Sequence, residues 1–533
     1  MLQLLIMKNI KFLFLVTVLM AIVSAGCKKS FSDLNQNSNK PTSVPPSLLL
    51  NGVLVDLHDE PGGSAEIYGQ YYIYNYDYYG NNQYNFGSGS NYYSTLENVL
   101  KMEEAAIQSG NSAVNAYNSL GKFLRAYLFT KMSLQMGDIP MTQALQGSVN
   151  LTPTYDNQKS VFKYALALLD TANSNIAGLI GKGDNTLAGD IFYGNDLKKW
   201  QKAVNTFKLR LLIHLSKKAA SDADLNIPQQ FAAIYNDQVK YPLFTSISDN
   251  LQYNYITPTN YYPDNPANYG FNGGRKNMSL THIGLLKQFK DPRLFITAEP
   301  ARYYVDNLGQ KDTSFASFYG ADPGLDLGIM YADATAGKYS FLNRKRYYAT
   351  YTAEPAIQIG YTEMCFNIAE GINRGWVAGN AEDWYQKGIK SSLAFYGIPL
   401  TGGFTAYFYR PGSTDVTNGG NYDARSISFD YTSYYAQPSI KYSADAATAL
   451  TQILQQRYLA LFRQSGLESY YTYRRTGVPA FTTGSGTGNS SRIALRFKYP
   501  SSEQSANTKN YNAALTAQYG GVDDINGTMW LLK

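Results

Sequence analysis

Apolar residues recur at spacings of three and four along several stretches of the chain, and each such stretch predicts an amphipathic helix. Between 197 and 218, Leu197, Trp200, Val204, Phe207, Leu211 and Leu215 fall on one face. Between 382 and 396 the buried stripe passes through Trp384 or Tyr385, Gly388 or Ile389, Ser392 or Leu393, and Tyr396. Asn380 is the expected N-cap of that helix, with Glu382 and Asp383 in its first turn. From 447 onward, Leu450, Ile453, Leu454, Tyr458, Leu461 and Phe462 line one side, and Gly466 is expected to end the segment before a further helix from 467 to about 473. The same reasoning gives helices at 95–108, at 113–136 before Gly137 and Pro140, at 158–179 and at 357–373. "PSLLLNGVLVDL" reads as a short leading helix. The expected fold is mainly α: an α-solenoid of four tetratricopeptide-like helix pairs at about 95–136, 158–218, 357–396 and 447–473. Two stretches, about 221–355 and 401–445, read as long loop-rich insertions, and such insertions in a rigid helical frame usually carry function.

The N-terminus follows a different pattern. "MKNIKFLFLVTVLMAIVSAGC" has Lys8 and Lys11, an apolar run from Phe12 to Val23 and small residues before Cys27. Residues 1–26 therefore read as a secretory signal peptide to be removed, too short between its flanks for a good membrane span. The sequence Ser24-Ala25-Gly26-Cys27 resembles a bacterial lipobox, which implies lipidation of Cys27 and anchoring through its acyl chains. The alternative is cleavage near Ala25 with Cys27 left as a free thiol. Residues 27–46 are polar and Pro-containing and read as a tether, and 47–533 as a single domain. The other cysteine is Cys365, so lipidation of Cys27 leaves no disulfide.

Composition narrows the function. Charged residues make up 16% of the chain, below the roughly 25% of an ordinary globular protein, and 47 Tyr stand against 25 Phe. The net charge of +6 is not gathered into a basic stripe, which argues against nucleic-acid binding. Catalytic motifs are missing. The three histidines, His58, His214 and His282, show no ligand spacing, and there is no HExxH. "TGSGTGNSS" lacks the last glycine of a dinucleotide fingerprint, no GxSxG occurs, and "ADPGLDLG" misses the calcium-loop spacing. We expect no metal, no cofactor and no enzymatic activity. A pair of carboxylates for glycoside hydrolysis stays open, because such pairs need not be close in sequence.

The tyrosines are concentrated. Residues 68–93 hold ten of them, beginning with "YGQYYIYNYDYYGNNQYNF", and a second cluster, "YNYITPTNYYPDNPANYGFNGG", runs from 253 to 274. Flat rings beside amide side chains suit a sugar: the C–H face of a pyranose stacks on the ring, and Asn or Tyr hydroxyl groups reach its hydroxyls. The competing reading is core packing with the phenol hydroxyls satisfied at the edge. Positions 72, 74, 76 and 78 alternate as in a strand, and 68, 71, 72 and 79 fit a helix equally well. The candidate ligand residues are Tyr72, Tyr74, Tyr76, Tyr78, Tyr79, Asn81 and Asn82 in the first stretch, and Tyr261, Tyr262, Tyr269, Phe271 and Asn272 in the second.

Several segments together resemble the SusD/RagB family of outer-membrane lipoproteins of the Bacteroidetes, in its SusD-like branch. They are "CKKSFSDLNQNSNKPTSVPPSLLLNGVL", "DLKKWQKAVNTFKLRLLIHLS", "KDPRLF", "YTEMCFNIAEGINRGW", "QRYLALFRQSGLESYYTYRRTGVP" and "RFKYPSSEQSANTKNYNAAL". The resemblance implies a lipid-anchored, outward-facing lid on a SusC-like TonB-dependent transporter that catches a nutrient and catalyses nothing. It also implies that Glu370, Arg474, Arg475 and Arg496 are scaffold ion pairs. With few cations near the tyrosine stretches, a neutral oligosaccharide is the expected ligand. The alternatives are a peptide-binding member of the same family and a secreted α-rich glycoside hydrolase or lyase.

Overall fold

The computed structural model describes residues 44–76 and 80–533. The signal peptide, Cys27, most of the tether, and Tyr78 and Tyr79 lie outside the described residues, and of Asn272 only the backbone is described.

Residues 45–533 form one compact unit built on helices. In chain order these include α1 (Pro46–Leu57), α2 (Tyr93–Gln108), α3 (Ala116–Met136), α4 (Gln158–Gly181), α5 (Leu197–His214), α6 (Leu327–Thr335), α7 (Tyr361–Asn373), α8 (Ala381–Phe395), α9 (Ala446–Ala460) and α10 (Glu468–Thr476). The caps explain several starts. Asn115 accepts from the Asn118 amide, Asn157 from Ser160, Asp196 from Lys198 and Lys199, and Asn380 from Asp383, each satisfying an N–H that the first helical turn leaves free. Gly137 (φ 98°) ends α3 and Gly477 (φ 75°) ends α10, positions where a side chain would be strained. Gly466 does not end α9. The helix stops at Ala460, and Gly466, with φ 54°, lies in the turn into α10.

Neighbouring helices pack in chain order from α2 to α5. Helix α5 meets α7, and α7 carries both α8 and α9. Trp200 sits wholly buried among Phe123, Phe192 and Tyr193, its indole N–H donating to Asp190 at 2.8 Å. Buried ion pairs tie the helices together. Glu363 on α7 accepts from Arg210 of α5 and Arg457 of α9. Glu370 accepts from Arg475 of α10 (2.5 Å) and from Arg374 (2.8 Å). Arg496 pairs with Asp523 at 2.5 Å, but Arg474 departs from the expected ion pair and donates to the carbonyls of Leu134 and Leu495.

Among the described residues three two-stranded antiparallel sheets are formed: β1 (Tyr72–Tyr74) with β3 (Lys276–Met278), β2 (Leu251–Tyr253) with β4 (Ala356–Ile359), and β5 (Thr401–Tyr409) with β6 (Tyr422–Asp430). The β5–β6 ladder is in register over nine residue pairs, Thr401 opposite Asp430 through Tyr409 opposite Tyr422. The stretch expected as a loop at 401–445 is therefore a long hairpin. The first residues of the helix expected at 357–373 are strand β4, whose Ala356, Ile357 and Ile359 are buried against the core.

Candidate functional site

The two tyrosine-rich stretches, almost 200 residues apart in sequence, meet in space. Tyr72 lies opposite Met278, Ile73 opposite Asn277 and Tyr74 opposite Lys276. The pairing continues past the ladder, because the Asn75 amide donates to the Arg275 carbonyl at 2.9 Å. The Asn75 side chain adds bonds to the Gly274 carbonyl (2.9 Å) and to Asn277 Oδ1 (2.7 Å).

Strand alternation then sorts the side chains. Tyr72 turns inward and is fully buried. Ile73 points to the other side and packs with Met330 and Ala334 of α6. Those two residues are four apart and share the inner face of the short helix, which leaves Tyr331 outside, 53% exposed. Just beyond β1, Tyr76 is also 53% exposed, and the Tyr331 ring stands edge-on to it at 6.2 Å. Phe271, in the helical turn Tyr269–Asn272, is 64% exposed. Between them lies a cation: the guanidinium of Arg275 is 3.8 Å from the Phe271 ring centre and 5.7 Å from that of Tyr76, within cation–π range. Tyr76, Phe271, Arg275 and Tyr331 make one exposed patch of rings around a cation.

Buried groups hold the patch in place. Asn82 is buried, and its amide takes the part of a strand neighbour, accepting from the Tyr74 amide (2.9 Å) and donating to the Tyr74 carbonyl (2.7 Å). Asp264 binds Lys276 Nζ at 2.7 Å and Arg463 at 2.8 Å, while Arg463 Nε donates to the Tyr262 hydroxyl at 2.7 Å. Burial would raise the Asp264 carboxyl, but Arg463 and Lys276 outweigh it and hold it below its ordinary value. The insertion is thereby pinned to the chain just after α9.

The sequence candidates divide accordingly. Tyr76 and Phe271 belong to the patch. Tyr72, Tyr262 and Asn82 are buried framework. Tyr74 is half-buried, and Asn81 is exposed on the loop after β1. Tyr261, 42% exposed, stacks obliquely on Tyr351 at 4.5 Å. Tyr269 is half-buried, edge-on to Tyr348 and to Tyr409 at the end of β5. Sequence reasoning did not find Arg275 or Tyr331. Arg275 directly follows the second stretch, one of the few cations near the tyrosines, and the fold sets it beside the rings. Tyr331 carries no signal of its own in "LGIMYADAT", because only the packing of Ile73 turns it outward.

A family profile described as starch-binding and associating with the outer membrane, in its SusD-like form, matches residues 38–500. The chain belongs to this SusD-like family. Solved structures agree. A SusD homolog from Bacteroides fragilis is 32% identical with a TM-score of 0.79, covering 92% of this chain and 100% of its own. A second homolog from the same organism is 29% identical with a TM-score of 0.74 and the same coverage. A chitin-binding SusD homolog from Flavobacterium johnsoniae shares the fold at 19% identity and TM-score 0.68, covering 92% of this chain and 98% of its own. A comparison with curated proteins gives no match. Among the described residues no helix is long and apolar enough to cross a membrane.

Proposed function

We propose that this protein captures an extracellular oligosaccharide on the Tyr76–Phe271–Arg275–Tyr331 patch and passes it, unaltered, to a SusC-like TonB-dependent transporter while tethered through lipid on Cys27. The observation that carries the reading is the β1–β3 pairing, which brings exposed rings from both tyrosine stretches to one surface. Open ring faces suit the C–H face of a pyranose, and the paired strands β1 and β3 with the buried network beneath them hold the rings in place, which lowers the ordering cost of binding. Stacking on an aromatic face is worth about 1–3 kcal/mol per ring, so two or three rings give a reversible grip.

Isothermal titration against a panel of neutral polysaccharides, with an assay for new reducing ends, tests this. Binding without cleavage is expected. Tyr76→Ala and Phe271→Ala are each expected to weaken that binding by about 1–3 kcal/mol. New reducing ends would establish the hydrolase or lyase alternative, and unchanged affinity in both variants would remove the patch from the ligand path. One observation favours a second reading, an acidic oligosaccharide. Alone among the arginines of the described residues, Arg275 donates no hydrogen bond, so its whole fork is free for a carboxylate. Under that reading uronate-bearing polymers bind in preference to neutral ones, and the preference fades with added salt.

A further inference from the structure

A cavity of about 280 Å³ lies within the helical frame, apart from the ring patch. Its walls come from α3, α5 and α10 and from the segments around Asp59–Tyr68 and Ser88–Tyr92, with exposed Ser64 and Ser88 at its mouth. The space far exceeds the roughly 30 Å³ that one water occupies and falls at the lower end of ligand-pocket sizes, fit for a guest of one ring.

The lining combines two chemistries. One is aromatic: Tyr68, Tyr92, Tyr127, Phe207, Tyr471 and Phe497 face the space. The other is ionic, and its charged groups already have partners: Lys131 is paired with Asp59 at 2.8 Å, Arg210 Nε lies 2.8 Å from Glu363, which also accepts from Arg457, and Glu468 bonds both Arg457 and His214 at 3.1 Å. A net-charged guest would sit in this low-dielectric space without a counter-charge, at a heavy desolvation cost. A neutral guest with hydroxyls meets no such cost.

Unused bonding capacity is present to receive it. Lys131 Nζ spends one N–H on Asp59 and rests against the rings of Tyr92 (4.9 Å) and Tyr127 (5.6 Å), which leaves two donors. Burial pushes the Tyr127 hydroxyl up to about 12, so it stays protonated and able to donate. Asp59 supplies acceptor oxygen beside Lys131.

We propose that this cavity is a second binding site, separate from the surface patch, for one neutral monosaccharide ring. The sugar's apolar face lies on the tyrosine walls, and its hydroxyls accept from Lys131 and Tyr127 and donate to Asp59. The proposal does not depend on the surface patch binding anything.

Ligand-observed NMR on the chain, with D-glucose, D-galactose and N-acetyl-D-glucosamine at millimolar concentration, tests it, with D-glucosamine and D-glucuronate as charged probes. At least one neutral sugar is expected to bind, with the charged probes at least about tenfold weaker. Lys131→Met removes a donor but strands Asp59. Ser64→Trp fills the mouth and leaves every ion pair intact, so it keeps the test valid if the first variant does not fold. Either variant, folded by circular dichroism, should lose about tenfold or more in affinity, while a Tyr76→Ala/Phe271→Ala double variant keeps it. No binding by any neutral sugar, or binding that survives Ser64→Trp and disappears in the double variant, overturns the proposal.

Discussion

Tyr261 and Tyr262 are neighbours in the chain, yet Tyr261 is 42% exposed and Tyr262 is wholly buried with its hydroxyl accepting from Arg463. The difference comes from the partner. A buried guanidinium needs acceptors for its N–H groups, and Tyr262 and Asp264 provide them. Tyr262→Phe is expected to cost about 1–3 kcal/mol in urea unfolding, the penalty of a buried donor left unsatisfied, and to leave ligand affinity unchanged. Glu370 is the sharper case. Burial alone would raise its carboxyl, but Arg475 and Arg374 hold it down at about 2. Glu370→Ala strands Arg475 in the interior and should lower stability by about 3–5 kcal/mol in the same assay. A loss below about 1 kcal/mol would mean that water reaches the site and screens the charge.

Beyond β1 the Asn82 side chain pairs with both backbone groups of Tyr74. Asn82→Ala is expected to weaken oligosaccharide binding through loss of order around Tyr76, with amide exchange accelerated at Tyr74 and nearby. Normal exchange there would show that the loop is held by other contacts. The helices were legible in the sequence because their caps and apolar stripes are local: Asn380 and Asp196 cap helices that their sequences already describe. The β5–β6 hairpin was not read from 401–445, although its inward residues Ala406, Phe408, Ile427 and Phe429 alternate. That alternation is short, and Gly402 and Gly403 give the start of β5 no side chain to show a period. In β4, tertiary pairing with β2 overrode the apparent continuation of the α7 pattern.

Across the whole molecule, buried ionisable groups set the response to acid. His282 stacks on Phe462 at 4.7 Å and lies edge-on to Tyr71 and Tyr458, and neither ring nitrogen has a hydrogen-bond partner. Burial, followed by the nearby Arg293, lowers it from 6.5 to about 3, with Asp291 opposing. The unfolded chain therefore binds this proton more readily than the folded one. Stability falls as pH drops from 6.5 toward 3 and levels off below that. At pH 5 the contribution is about 2 kcal/mol, so His282→Phe should narrow the gap in thermal stability between pH 7 and pH 5. An unchanged gap would mean that the ring gains a proton partner on acidification. Glu370 adds a second loss, between 4.5 and about 2, as its carboxylate is protonated and Arg475 loses its counter-charge. By itself the sequence determined the mainly helical frame, the concentration of tyrosine in two stretches and the family, because helical period, composition and motif order are properties of the chain read along its length. Only the tertiary structure decided which rings are open, and that Arg275 and Tyr331 join Tyr76 and Phe271. Those choices depend on which residue lies opposite which across β1 and β3, a contact between segments just over 200 residues apart that no local pattern encodes.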